Sequence, residues 1–367
     1  MAPPPPELNE DIIAEILLRL PPDEPAHLVR ASLVCKPWRR ILSGRAFLRS
    51  YRRFHQTPPP LGFFNDMIST SFVPITAAAA FPFSRAAFNS IPWCVLDSHH
   101  GRVLLLHRFT YDVLVWDPIT GEQEELRNRD PNMLFESAVV LCDHCDCHGG
   151  PFIVVCVSTD TRDDSVRGCV YSSQDGAWGD FVCVHLDVEV DYFRDHVNSR
   201  SGAHVGDAVY FVLTLVAGDR ILKYDLGTHC LSTVELPDLD SNKNVVLMSA
   251  EDGLLGLAST RSSNLYLWSR MVNGEGVAGW VQRRLIDLQM VLPVTIPIDK
   301  VKVVGFAEGF HVIFVGTNAS TFIINLKSGL TRKVSGAIYN LVVPFISFYT
   351  PGFNYACSKL PLPPETN

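Results

Sequence analysis

Residues 8–54, LNEDIIAEILLRLPPDEPAHLVRASLVCKPWRRILSGRAFLRSYRRF, decide how this chain is read. Asn9 is a good helix N-cap, and Glu10 and Asp11 follow it in the first turn, where negative charge suits the helix dipole. Ile12, Ile13, Ile16, Leu17 and Leu20 then recur at helical spacing. Pro21-Pro22 ends that helix, because a residue before proline is pushed out of the α region. Asp23 is the expected cap of a second helix carrying Leu28, Ala31, Ser32 and Leu33. Pro37 predicts a break over Val34-Cys35-Lys36, before a third helix with Trp38, Ile41 and Leu42. Gly44 is expected to close that helix as a C′ residue, and Phe47, Leu48 and Tyr51 to form a short apolar turn. A unit of about 45 residues hides a poor fraction of its surface. So dense an apolar set on so small a unit therefore implies that something else covers part of it.

The order Leu8, Asp11, Ile12, Glu15, Ile16, Leu17, Leu20, Pro21, Leu28, Arg30, Ala31, followed by Leu33-Val34-Cys35-Lys36-Pro37-Trp38, resembles an F-box domain. It departs from that pattern at Asn9, where the family usually has proline. The resemblance implies docking on a Skp-type adaptor and, through it, on a cullin. It places Leu8, Ile12, Ile16, Leu17, Leu20, Pro21, Leu28, Val34, Cys35 and Trp38 at or near the adaptor surface. Trp38 is also expected to pack within the module itself.

At 367 residues, 47% of them hydrophobic, the chain is long enough for two domains and too apolar for disorder. Its net charge of −8 is unevenly spread. Residues 1–55 hold nine Lys/Arg and six Asp/Glu, a balance of +3, which leaves −11 for the rest. The basic run from Lys36 to Arg53 reads as a solvated helical face, and no nucleic acid is expected as a partner beside so acidic a second domain. Val209–Ala217, the longest apolar run, falls short of the ~20 residues a bilayer demands, so no membrane is expected either. Met1-Ala2 and the four prolines after it lack the charged and apolar regions of a signal peptide. Most of the ten cysteines sit in apolar strings such as Val154-Val155-Cys156-Val157, which suits a reducing compartment, cytoplasmic and/or nuclear.

After Thr57-Pro58-Pro59-Pro60 the pattern changes to short β-branched and aromatic runs punctuated by Gly, Asp, Asn and Pro. The runs repeat. Each unit has a buried strand, a second strand ending in a turn of the Asp/Asn-x-x-Gly kind, and a strand leading away. The matched positions Trp116, Tyr171, Tyr224, Trp268 and Ile324 are separated by 55, 53, 44 and 56 residues, about the length of a four-stranded propeller blade. One such sheet cannot cover both its faces, so the units must stack around an axis. Leu61–Val95 together with Ile338–Phe353 is expected to complete a further unit. The predicted class is therefore multidomain α plus all-β: a small three-helix module, then a β-propeller of about six blades closed by strands from both ends. A pair of irregular β-sandwiches is the alternative. The expected boundaries are an extended tail over 1–7, the helical module over 8–54, a Pro-rich linker over 55–60, the propeller over 61–357 and a tail over 358–367. Val115-Trp116-Asp117-Pro118-Ile119-Thr120-Gly121 resembles the repeat of plant F-box-associated, kelch-like domains.

Cys142-Asp143-His144-Cys145-Asp146-Cys147-His148 is the one run that looks like a metal site. It has no second cluster at finger or ribbon spacing, and a polar surface loop is expected instead. No nucleophile elbow or phosphate-cradling loop is present in the sequence. The expectation is thus a receptor without catalytic residues or cofactors, holding a target protein for a ubiquitin ligase. The rival is a propeller lectin or hydrolase with a structural N-terminal helical hairpin.

Overall fold

The computed structural model describes residues 9–66, 70–75, 93–127, 135–142, 150–191, 196–197, 202–239, 244–292, 301–318, 320–335 and 342–351. Leu8, the run 143–149 and the tail 358–367 lie outside them.

Four helices open the chain: α1 (Glu10–Leu18), α2 (Pro25–Ser32), α3 (Lys36–Leu42) and α4 (Arg45–His55). The Asn9 side chain accepts from the Asp11 N–H at 3.4 Å, as its cap position requires. Two local expectations are corrected and a third is extended. The cap of α2 is Glu24, not Asp23, and its carboxylate caps no backbone N–H but meets His27 Nε2 at 2.6 Å. Gly44 does stand at the C′ position of α3, where its N–H donates to the Ile41 carbonyl at 3.0 Å, but its backbone is extended with φ −74° and it also opens α4. The apolar turn at Phe47 is a full helix, because Phe47 and Tyr51 stack one turn apart with ring centroids 5.7 Å apart. Arginines fill its opposite face, and no helix breaker falls between Gly44 and Pro58.

The remainder forms six antiparallel sheets. Blades 1 to 5 occupy residues 93–126, 137–185, 196–235, 245–287 and 302–335 in chain order. In the sixth, Pro60–Asp66 lies between Thr70–Pro74 and the C-terminal strand Val342–Ile346. Strands from both ends thus close the ring, but Trp93–Val95 belongs to blade 1 and not to the closing sheet. Five matched positions, from Trp116 to Ile324, each fall on the third strand of a blade. The sequence repeat began one strand late and missed the innermost strand, such as Ser137–Cys142 in blade 2.

Each pair of neighbouring blades encloses its own apolar cluster. In strand Arg102–His107, Val103 and Leu105 face the closing sheet while Leu104 and Leu106 face blade 2. Val245 and Leu247 face blade 3, and Val246 and Met248 face blade 5. A strand covered on both faces loses the apolar–polar alternation, which explains the unbroken apolar runs.

The repeated turn has one mechanism. Asp117 and Asn325 each accept two backbone N–H bonds through Oδ1, from Ile119 and Thr120 at 2.8 and 3.1 Å and from Lys327 and Ser328 at 3.0 and 2.8 Å. Four residues after the turn opens, Gly121 and Gly329 stand at φ 79° and 71°, and His229 takes the same place after Asp225 at φ 52°. The sequence signal was therefore a local hydrogen-bond pattern.

Candidate functional site

The helical module and the propeller touch on one face of the ring. Antiparallel order puts the first-to-second and third-to-fourth strand turns of every blade on one face, and the second-to-third turns and blade connections on the other. Phe348, just beyond the closing strand, belongs to the core of the helical module and meets the Tyr51 ring edge-on at 5.9 Å. Tyr51 donates its hydroxyl proton to the Leu20 carbonyl at 2.7 Å, and burial holds its pKa well above the ordinary phenol value. His55 Nε2 meets the Leu18 carbonyl at 2.8 Å. Val29 packs against the cluster between the closing sheet and blade 1, and Arg45 pairs with Glu122 beside the Asp117 turn at 3.4 Å. These contacts seat the module on the face carrying the first-to-second and third-to-fourth turns.

Within the module the apolar residues divide. Leu17 and Leu28 are 1% and 0% exposed and form its core with Leu42, Phe47 and Tyr51. The resemblance placed both at or near the adaptor surface; in the structure the module's own core encloses them. Ile12, Ile16 and Val34 are 48%, 46% and 64% exposed. Pro21 and Cys35 are exposed as well, while Leu20 and Trp38 are half-buried against the core. Leu33, 76% exposed, joins them, although it is not among the residues expected at the adaptor surface. Its place one residue past the end of α2 was the available signal. The exposed set lies on α1 and on the turn between α2 and α3, and Arg40 of α3 pairs with Glu10 of α1.

The division predicts different responses to truncation. Leu17→Ala or Leu28→Ala is expected to cost about 2–5 kcal/mol of local stability, and Leu33→Ala within about 0.5 kcal/mol of nothing. Amide hydrogen exchange in α1 and α2 distinguishes them: protection drops for the first two and stays for the third.

The second feature is the central channel, a cavity of about 340 Å³ that opens on the module's face and is bordered by Thr57 and Pro58. Asp97, His99, His100, His204 and Glu308 line it, with Phe306 and Met248 among its apolar walls. Asp97 Oδ2 accepts from the Val140 N–H at 3.0 Å. Burial pushes its carboxyl up to about 7 against the lowering effect of that bond. Burial lowers the His99 imidazole to about 3, helped by the charges of His100, His204 and Arg102. Burial likewise lowers His204 and raises Glu308. Cys142 ends an inner strand, where its sulfur accepts from Arg102 at 2.8 Å; the rest of the Cys/His run is outside the described residues. No helix among the described residues is long and apolar enough to cross a membrane.

A four-helix module with an apolar outer surface, fixed to a six-bladed β-propeller, defines the class: an F-box protein with a propeller as its second domain. Residues 6–50 match the F-box domain, and residues 94–353 match the family described as F-box protein AT5G49610-like, beta-propeller. The chain belongs to that family of F-box propeller proteins. It is 24% identical over 237 residues to At3g16210, an F-box protein by name from Arabidopsis thaliana. That match covers 63% of this chain and 61% of the relative, so the chain spans about three fifths of the relative's length. Among solved structures, a chain of the Mitotic Checkpoint Complex aligns with 68% of this chain and 66% of its own at 12% identity and a TM-score of 0.38. An extracellular domain of a two-component system from B. thetaiotaomicron aligns with 67% of this chain and 28% of its own, at 12% identity and the same TM-score. At that level of likeness neither contributes to the functional argument.

Proposed function

We propose that this chain is the substrate-recognition subunit of an SCF-type ubiquitin ligase. The F-box docks on a Skp-type adaptor, which joins it to a cullin, and the propeller captures a target protein. The observation that carries this reading is the exposure of Ile12, Ile16, Leu33 and Val34 on a module whose own core is already complete. Apolar side chains left in water on one small domain mark a surface for another polypeptide. Among the described residues, the module's contacts with the ring lie on one face only. The turn between the strands Phe152–Asp160 and Ser165–Ser172 lies on the face opposite the module, while the turn between Asn264–Val272 and Ala278–Asp287 lies on the F-box side; residues 192–195, 198–201 and 293–300 are outside the described residues. The loops 160–168, 191–202 and 288–300 are the capture loops in this reading, loops on a rigid ring being the usual place for recognition.

The chain needs no bond chemistry of its own. Tethering raises the effective concentration of a target lysine near ubiquitin activated elsewhere in the complex. The test is a pair of cell lines expressing the full chain or its Ile12→Asp/Ile16→Asp variant. Adaptor and cullin are expected to co-purify with the first only, and at least one bound protein is expected to live longer with the second. Equal half-lives across the bound proteins in the two lines overturn target delivery.

A further inference from the structure

Blade 4 keeps buried polar groups that have no partner. On its second strand, Leu255–Arg261, Leu255 and Leu257 face blade 3 and Ala258 faces blade 5, so Ser259 stands on the blade 3 side. Tyr266, on the third strand Asn264–Val272, lies opposite Ser259 in register. Trp268 lies opposite Leu257 on one side and Gln282 on the other, and it too faces blade 3. Ser259, Tyr266, Trp268 and Gln282 line a cavity of about 180 Å³, bordered by Asp238 and Leu239 from the connection that leaves blade 3. Blade connections lie on the face opposite the helical module, the face proposed for capture.

Ser259 is 5% exposed, and its hydroxyl has no hydrogen bond among the described residues. The indole N–H of Trp268 is sealed from water and has no acceptor among them either. Each orphaned buried group costs about 1–3 kcal/mol, and a native fold that keeps two on one sheet face calls for a reason. The Tyr266 hydroxyl and the Gln282 amide likewise make no hydrogen bond among the described residues. The set offers proton donors beside two flat aromatic rings. A polyproline helix is the complement: its carbonyls have no internal hydrogen bonds, proline has no N–H, and its rings suit aromatic grooves. A sugar would bring a donor with each acceptor, and Asp238 is the one carboxylate among the described lining residues. The cavity also falls below the ~300 Å³ at which pockets for free small molecules begin, which suits one ring of a longer segment. Asp238 is exposed and without an ion pair among the described residues, while Arg261 at the same border already has a partner. A basic residue beside the proline meets that charge.

We propose that the groove holds a proline-rich segment of the captured target, extended as a polyproline helix with a basic residue beside the proline. One proline ring packs on Tyr266 and Trp268. The carbonyls next to it accept from the Ser259 and Tyr266 hydroxyls. Gln282, exposed beside Trp268, turns aside to let a further carbonyl reach the indole N–H. That the segment comes from a target rests on the receptor role proposed above; that the groove binds it does not.

Fluorescence anisotropy with the purified full chain tests this, using a labelled peptide pool of the form Arg-x-Pro-x-x-Pro, with x varied, and the same pool with alanine in place of proline. Saturable binding of the first is expected, and binding weaker by about tenfold for the second. Tyr266→Ala is expected to lose about tenfold in affinity, and Ser259→Ala about fivefold. Ser259→Ala removes an unpaired buried hydroxyl, so its thermal midpoint is expected to stay or rise, which separates a lost contact from a lost fold. Should Tyr266→Ala fail to fold, Ser259→Ala carries the test alone. No saturable binding of the proline pool, equal binding of the alanine pool, or an unchanged affinity in Ser259→Ala overturns the proposal. A lowered midpoint in Ser259→Ala overturns it too, by showing that the hydroxyl is bonded within the fold. Competition by maltohexaose, lost in Tyr266→Ala, overturns it in favour of a sugar. Adaptor co-purification depends on none of these outcomes, so the groove and the ligase role fail separately.

Discussion

Replacing Ile12 and Ile16 together by aspartate is expected to abolish binding of a Skp-type adaptor while leaving the propeller folded. The two side chains lie one helical turn apart on α1, and each is nearly half exposed in the free chain. Covering an isoleucine is worth roughly 1.5–3 kcal/mol, and a carboxylate in the same place must be stripped of water without a partner. A loss of at least ~4 kcal/mol, about a thousandfold in Kd, follows for the pair. The fold is unaffected because neither residue belongs to the core built from Leu17, Leu28, Leu42, Phe47 and Tyr51. Titration calorimetry against purified adaptor, with far-ultraviolet circular dichroism as the control, reads both halves. Binding within threefold of the parent chain places the docking surface elsewhere.

Phe345→Ala is expected to be the most destabilising single truncation in the propeller, at about 3–5 kcal/mol. Phe345 is fully buried on the closing strand, with its ring 5.7 Å from Phe64 and 6.1 Å from Phe72. The strand that carries it holds the two ends of the ring together through its pairing with Pro60–Asp66, including Phe63 opposite Pro344 and Phe64 opposite Val343. Its loss weakens a joint made by residues from opposite ends of the chain and exposes the edge of the first β-strand. Urea unfolding followed by intrinsic fluorescence gives the magnitude. A shift below about 1 kcal/mol shows that the closing strand is held chiefly by its backbone bonds.

The helical module and the repeat were legible because their signals are local. Asn9 caps α1 through a bond to a residue two positions away, and prolines mark the gaps between the first helices. The turns at Asp117 and Asn325 are set by a side chain reaching the next few N–H groups. The innermost strands were harder to read. Ser137–Cys142 and Val245–Ser249 are short and buried on both faces, so neither alternation nor length distinguished them from the runs beside them.

The chain's own order of residues determined a helical module, a repeated β-strand unit and the turn that recurs in it, since backbone preference and periodicity act within a few residues of one another. Only the tertiary structure decided which leucines of the module are core and which apolar groups remain outside. A helix shows the same stripe whichever part of it finds a neighbour, and the neighbour here includes Phe348 from the far end of the chain. It alone also placed the module on one face of the ring, and it alone set Asp97, His204 and Glu308 around one cavity. Groups so distant in the chain meet only after six sheets have stacked, because it is the closing of the ring that makes the cavity.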